Sequence, residues 1–143
     1  MGGQMAGFIG KYTNFLVPRI TGLDPASPGY YQFGADHLNP TNAKFVDVIH
    51  TDGGVYGAYP ATGTADCYPN GGTRPQPGCP YFGVPLSPTD LCSHWRSWRF
   101  WAESLLNERG FLALKCNSYA SFLSGKCRKN EAGYCGFIMP NTA

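Results

Sequence analysis

One aspartate and one histidine stand where an acid–base pair could be assembled. Asp24 follows a short apolar segment and precedes a proline, and His94 follows Cys92 and Ser93 at the predicted start of a helix. An Asp and a His on separate loops are the acid and base that activate a nucleophile. However, an Asp before Pro commonly forms a turn, and a His at a helix start is often a plain surface residue. Spacing alone leaves both interpretations open.

The segments around these two residues predict strands alternating with helices. Residues 17–23 form a strand candidate that Asp24 ends, and residues 44–50 carry a nearly continuous apolar run. Such a run predicts a strand buried on both faces, as in a parallel sheet. The carboxyl ends of such strands are where catalytic groups gather, which makes Asp24 well placed for chemistry. The predicted fold class is α/β.

Two helices are predicted from the spacing of apolar residues. They cover residues 2–12, which also carry many small side chains, and residues 94–107, with Ser93 as the N-cap. The apolar positions are Met5, Phe8 and Ile9 in the first helix and Trp98, Trp101, Ala102 and Leu105 in the second. Between the strands and the second helix, residues 51–91 are predicted to form one long loop, of the kind that is usually functional or disordered. The segments after residue 107 are predicted to be irregular.

Composition excludes several classes of protein. Charged residues make up 14% of the 143-residue chain and the net charge is +2, which is too small to indicate nucleic-acid binding. The aromatic and basic run from His94 to Trp101 is therefore interpreted as an amphipathic helix and not as a nucleic-acid surface. No apolar run approaches the roughly 18 residues of a transmembrane segment.

Six cysteines point to an oxidising compartment. An even number in a loop-rich chain favours disulfides, although buried free thiols are the alternative, and the absence of C-x-x-C spacing argues against zinc. The cysteines are Cys67, Cys79, Cys92, Cys116, Cys127 and Cys135. The residues after Met1 lack the basic and apolar regions of a secretion signal, so we expect this sequence to be part of a longer protein.

Five segments, in this order, resemble the pancreatic-type lipase family. They are ITGLDPA (20–26), NAKFVDVIHTDG (42–53), YPNGG (68–72), QPGC (76–79) and CSHWRS (92–97). That family includes pancreatic and lipoprotein lipases, insect neutral lipases, phospholipases A1 and catalytically inactive yolk proteins. The likeness runs from Met1 to about Cys127. It implies that residues 1–143 form the C-terminal part of an α/β-hydrolase catalytic domain, and hence an incomplete α/β fold.

The resemblance implies a role for each candidate catalytic residue. Asp24 matches the acid of a Ser-Asp-His triad, and His94 matches its general base. The serine of the family lies on a G-x-S-x-G turn, which this sequence does not contain. If Gly2 is the last glycine of that turn, the serine lies just upstream of Met1, and the backbone N–H of Met1 belongs to the oxyanion hole. We therefore expect the 143-residue chain alone to be inactive and poorly folded.

The resemblance also pairs cysteines and defines a lid-like loop. It implies a disulfide between Cys79 and Cys92 that closes residues 80–91, and a second one between Cys116 and Cys127. The exposed apolar residues expected on the loop are Tyr81, Phe82, Val84 and Leu86. Such residues suit contact with a lipid surface, whereas the alternative is an ordinary stapled loop. The pairing of Cys67 and Cys135 is left open.

The family's calcium loop is altered here, because Asn39 and Asn42 stand where some members have carboxylates. Calcium prefers charged oxygen ligands, so we expect no metal and no cofactor. The leading hypothesis is a secreted carboxyl-ester hydrolase that meets its lipid substrate at a lipid–water interface. Its short lid leaves both triacylglycerol lipase and phospholipase A1 activity open. The alternative is a non-catalytic, yolk-type lipid-binding protein.

Overall fold

The computed structural model describes residues 1–14 and 16–139, so Phe15 and residues 140–143 of the predicted domain lie outside the described part. The described helices are α1 (Gly2–Tyr12), α2 (Cys92–Leu106) and α3 (Tyr119–Leu123). The described strands are β1 (Arg19–Leu23), β2 (Phe45–Ile49), β3 (Ala65–Cys67), β4 (Leu112–Leu114) and β5 (Ala132–Tyr134). The chain divides into two compact units, Met1–Trp98 and Arg99–Ala143.

A three-stranded parallel sheet in the order β1-β2-β3 organises the first unit. β1 pairs with β2 from Arg19 opposite Phe45 to Leu23 opposite Ile49. Every residue of β2 is buried, as its apolar run predicts for a central parallel strand. Both predicted strands and the α/β fold class are confirmed, although each strand is slightly shorter than predicted.

The third strand corrects the prediction of one continuous loop over residues 51–91. β3 lies inside that segment and pairs with β2 in parallel, with Asp47 opposite Ala65 and Ile49 opposite Cys67. It has only three residues, with the polar Asp66 at its centre. Neither an alternation nor an apolar run can develop over that length, so sequence periodicity does not reveal it.

A buried ion pair joins β1 to β2 inside the sheet. The guanidinium of Arg19 donates two hydrogen bonds, of 2.9 and 2.8 Å, to the two carboxylate oxygens of Asp47. Thr21 Oγ1 donates a third, also of 2.9 Å. Asp47 is fully buried, and these partners satisfy the charge that burial would otherwise penalise. The apolar cluster contains Ile20, Leu38, Ala43, Val46 and Val48. Its strand residues alternate along β1 and β2 with Arg19, Thr21 and Asp47, so they lie on the opposite face of the sheet.

Helix α1 packs through small residues and one glutamine. An ideal Cβ on Gly10 would lie 1.9 Å from the Asn42 carbonyl oxygen, so only glycine allows this approach. The buried Gln4 side chain donates to the Ala26 carbonyl oxygen at 2.7 Å and accepts from Leu38 N–H at 2.8 Å. The predicted helix is therefore confirmed, but its apolar positions are not its buried face, because Met5 is 63% exposed.

Helix α2 also differs from its prediction in start and in buried face. It begins at Cys92, so Ser93 is not its N-cap. The Ser93 hydroxyl instead accepts a hydrogen bond from Gln76 N–H at 3.1 Å. Trp98 and Leu105 are each 49% exposed, whereas Ser97 is buried. The apolar spacing thus identified the helix correctly but assigned the wrong face to the interior.

The second unit contains more regular structure than its sequence predicts. β4 and β5 form an antiparallel pair, with Leu112 opposite Tyr134. The predicted disulfide between Cys116 and Cys127 is confirmed, with 5.6 Å between the Cα atoms. The strands are three residues each, too short for a periodic signal. Among the described residues, no helix combines the length and apolar composition needed to cross a membrane.

Candidate active site

Asp24 lies at the carboxyl end of β1 and is held by the segment that follows β2. Its N–H donates to the Ile49 carbonyl oxygen at 2.8 Å, and its φ of +48° turns the chain out of the sheet. The carboxylate Oδ1 accepts from Thr51 N–H at 2.9 Å and Asp52 N–H at 3.1 Å. Asp24 is 1% exposed. Two amide donors therefore stabilise a buried carboxylate and fix its direction.

His94 is brought to this carboxylate by the first turn of α2. Its Nδ1 lies 2.6 Å from Asp24 Oδ2, across 70 residues of sequence. A carboxylate only accepts hydrogen bonds, so Nδ1 carries the proton and Nε2 of the neutral ring is the basic nitrogen. The His94 side chain is 24% exposed. The arrangement can accept a proton at Nε2 while Asp24 stabilises the resulting imidazolium.

Gly57 allows Asp24 to occupy its position, although no local sequence pattern marks this glycine. An ideal Cβ on Gly57 would lie 2.1 Å from Asp24 Oδ1 and 2.3 Å from its Oδ2. The two loops are joined by backbone bonds, including Ala58 N–H to the Pro25 carbonyl oxygen at 2.8 Å. Any side chain at position 57 would occupy the space of the carboxylate.

A second buried carboxylate, Asp52, lies beside this pair. Arg74 Nε and Nη2 donate to the two oxygens of Asp52 at 2.6 and 2.7 Å. Nη1 of the same guanidinium donates to Asp90 Oδ1 at 2.9 Å. The side chains of Asp52 and Arg74 are 0% and 8% exposed. The hydrogen bond to Asp52 is the main reason that the pKa of Arg74 is raised above its already high value.

The similarity to known proteins extends along almost the whole chain and is not confined to the site. The family model described as Lipase matches residues 1–141. The chain belongs to the lipase family. It is 38% identical over 154 residues to pancreatic triacylglycerol lipase of Cavia porcellus, an alignment that covers 94% of this chain and 33% of that protein.

Further relatives include proteins with other names. Lipase member H-B of Xenopus laevis is 41% identical over 128 residues, covering 89% of this chain and 28% of the relative. Lipase member H of Rattus norvegicus is 40% identical over 138 residues, covering 94% and 30%. The chain therefore spans about a third of the length of the curated relatives that it matches.

The loop at residues 80–91 of this lipase-family chain carries exposed apolar side chains next to the site. Its predicted disulfide is confirmed, with 5.6 Å between the Cα atoms of Cys79 and Cys92. The exposed fractions are 54% for Tyr81, 79% for Phe82, 74% for Val84 and 70% for Leu86. A loop with this surface can contact an apolar partner without refolding.

Asp90 anchors the loop of residues 80–91 to the site. Tyr56 Oη donates to Asp90 Oδ2 at 2.5 Å, and Leu86 N–H donates to the same oxygen at 3.1 Å. The hydrogen bond from Tyr56, followed by that from Arg74, lowers the pKa of Asp90. The Tyr56 ring lies 6.1 Å from the His94 ring, so the side chains that anchor the loop lie close to His94.

Met1 precedes α1 and lies near the loop that holds Asp24. Its carbonyl oxygen accepts from Gln4 N–H at 3.0 Å in the first turn. An ideal Cβ on Gly3 would contact Pro25 Cβ at 3.5 Å. The start of α1 therefore packs against the residue that follows Asp24, which brings the predicted oxyanion donor to the same end of the sheet.

A second buried His–Asp pair has no access to a substrate. His50 Nε2 lies 2.7 Å from Asp66 Oδ1, and Nδ1 lies 2.7 Å from the Ala58 carbonyl oxygen. The His50 side chain is 0% exposed, and its ring stacks on Tyr68 at 4.4 Å. Both ring nitrogens are engaged, so this pair is structural.

Neither candidate metal site among the described residues has a suitable donor set. Asp24, Asp52 and His94 each offer one atom within 4.8 Å of the others, but N–H donors already occupy these carboxylates. At the loop that resembles a calcium site, Asn39 Oδ1 accepts from Thr41 N–H at 3.0 Å, and Asn42 Oδ1 accepts from Asn39 N–H at 2.9 Å. The amides close this loop themselves, so it does not fit a calcium ion.

Proposed function

We propose that this lipase-family chain supplies the acid and base of a serine hydrolase that cleaves carboxyl esters of lipids. The observation that carries the proposal is the 2.6 Å contact between His94 Nδ1 and Asp24 Oδ2. Asp24 is oriented by two backbone amides, and His94 is partly open to solvent. An oriented acid and a reachable base are what a triad requires.

The proposed nucleophile is a serine on a segment that precedes Met1 in the longer protein. His94 Nε2 takes the serine proton as the oxygen attacks the ester carbonyl, and Asp24 stabilises the imidazolium. The imidazolium then protonates the leaving alcohol, which leaves an acyl-enzyme. Water repeats the sequence, with His94 again as base, and the fatty acid departs. The Met1 backbone N–H donates to the oxyanion in both steps.

The proposed substrate class is a lipid presented at an interface with water. The apolar residues on the loop of residues 80–91 support this, because their exposure suits contact with acyl chains. The relatives of the chain include pancreatic triacylglycerol lipases, and the short loop also suits phospholipids as substrates. The proposed location is extracellular, because none of the described cysteines is a free thiol.

The test is ester hydrolysis by the full-length protein that contains this chain. Asp24→Asn should lower kcat by roughly 10⁴-fold and His94→Ala by roughly 10⁶-fold, the losses typical of the acid and the base of a triad. His37→Gln is the matched control, because His37 lies on a separate loop and its Nδ1 contacts only the nearby Ala35 carbonyl oxygen at 2.9 Å. It should retain wild-type activity.

A substrate panel separates the remaining possibilities. Triacylglycerol and phosphatidylcholine emulsions, with release of fatty acid as the measurement, distinguish lipase from phospholipase A1 activity. Hydrolysis that survives His94→Ala would refute the proposed base. Lipid binding without any hydrolysis by the wild-type protein would instead support the yolk-type alternative. We also expect no hydrolysis by the 143-residue chain alone, because none of its serines stands in a G-x-S-x-G context.

A further inference from the structure

Two buried carboxylates lie beside the one basic ring of the site. Asp24, Asp52 and His94 each place a polar atom within 4.8 Å of the others, and both carboxylate side chains are fully buried. Asp24 bonds His94 directly, whereas Asp52 contributes its backbone N–H to Asp24. Two like charges this close in a buried site are unfavourable unless one is compensated.

The compensating group is Arg74. Its guanidinium engages both oxygens of Asp52 in a forked pair at 2.6 and 2.7 Å, the strongest geometry for such an ion pair. It also bonds the Asp90 carboxylate at 2.9 Å and the Asp90 carbonyl oxygen at 3.1 Å. Arg74 is only 8% exposed, so solvent screens its charge weakly.

The titratable groups described around the His94 ring are two carboxylates and one tyrosine. Asp24 is in contact, Asp52 lies within 4.8 Å, and the Tyr56 ring is 6.1 Å away with its hydroxyl bonded to Asp90. We propose that Arg74 is a positioning residue of the hydrolytic site, which neutralises Asp52 so that only Asp24 acts electrostatically on His94. This inference rests on the proposed role of His94 as general base.

The chemical consequence concerns the pH range in which the base is available. A general base must be unprotonated at the start of the reaction. A second uncompensated negative charge beside His94 would stabilise the protonated imidazolium. The ring would then stay protonated at higher pH and could not accept a proton from the nucleophile. Arg74 therefore extends activity towards lower pH, by acting on Asp52 without touching the substrate.

The experiment compares pH profiles of kcat/KM for variants of the full-length protein. In Arg74→Gln the acidic limb should move to higher pH by about one unit, the size expected of one uncompensated charge at this distance with partial screening. In Asp52→Asn the carboxylate beside His94 is lost and the guanidinium keeps only Asp90 as a counter-charge, so the limb should move to lower pH. The double variant should restore the limb to near its wild-type position, because both charges are absent.

Arg19→Gln is the matched control. Arg19 forms the same forked pair with Asp47, a fully buried aspartate inside the sheet. Arg19 lies five residues before Asp24 in the chain. Its loss should lower the melting temperature without moving the acidic limb. A purely structural role for Arg74 would give the same result as this control, and that outcome would overturn the proposal.

A titration without turnover separates this inference from the proposed function. With ¹³C-labelled histidine, NMR follows the His94 ring in the same variants, and the same opposite shifts are expected. If wild type shows no hydrolysis but the ring titration shifts as stated, the proposed function fails and only the electrostatic effect of Arg74 on His94 stands. If Arg74→Gln does not fold, Asp52→Asn and the double variant still decide, and unmoved titrations in both would refute the inference.

Discussion

Replacing Gly57 by alanine tests whether the position of the Asp24 carboxylate controls the site. The new Cβ would lie 2.1 Å from Asp24 Oδ1, whereas real Cβ contacts essentially never fall below 3.0 Å. The carboxylate or its loop must therefore move by about 1 Å, a misplacement that typically costs on the order of 10²-fold in rate. The φ of Gly57 is one that alanine can adopt, so the effect is steric.

The same displacement lengthens the three hydrogen bonds that Asp24 makes with Thr51, Asp52 and His94. We expect kcat/KM of the full-length protein to fall by about 10²–10³-fold. The free energy of unfolding should fall by roughly 1–3 kcal/mol, as for other overpacked interiors. A soluble short-chain ester is the appropriate substrate, because its hydrolysis does not depend on adsorption to an interface.

Gly3→Ala is the control for this substitution. Its Cβ would make only an ordinary contact with Pro25 at 3.5 Å, and alanine favours the helix. Gly57→Ala should also add little to Asp24→Asn, because both act through one carboxylate and their effects are not additive. Wild-type kcat/KM in Gly57→Ala, or full additivity with Asp24→Asn, would refute the reasoning.

Three further predictions concern the loop of residues 80–91 and its base. The hydrogen bond from Tyr56 lowers the pKa of Asp90. The bonds from Asp90 to the loop are therefore present above the ordinary Asp pKa near 4 and are lost only as pH falls through the lowered pKa. Protease cleavage of the loop should rise only below about pH 4, and Tyr56→Phe should raise the pH at which cleavage begins to rise. Replacing Cys79 and Cys92 together by serine should cost about 3 kcal/mol in calorimetry; an unchanged melting temperature would contradict this. The buried Gln76 side chain donates to two backbone carbonyls, so Gln76→Ala should cost about 1–3 kcal/mol in urea unfolding, and an unchanged midpoint would contradict its role.

The elements with long, uniform signals were predictable from the sequence. β2 is buried on both faces along its whole length, and such a strand leaves an uninterrupted apolar run. The resemblance singled out Asp24 and His94, and the structure brings these two side chains into contact. It also paired Cys79 with Cys92 and Cys116 with Cys127, as the structure has them.

The features that were missed depend on contacts between distant segments. Gly57 is separated from Asp24 by a loop, and nothing local marks it as the residue that must lack a side chain. Arg74 lies 22 residues from Asp52 and 16 from Asp90, and one sequence does not reveal which acid an arginine will meet. The exposed Trp98 illustrates a similar limit for helices. Helical spacing groups apolar residues on one face, but it does not show which face packs against the rest of the protein.

Because of where Asp24 lies, the contact between Asp24 and His94 can form only when the surrounding fold is complete. Its carboxylate is fixed only when β1 and β2 are paired, the chain after β2 has turned back, and α2 has docked with His94. A nascent molecule that lacks any one of these steps has no oriented base. The proposed hydrolysis therefore begins only once the fold is complete.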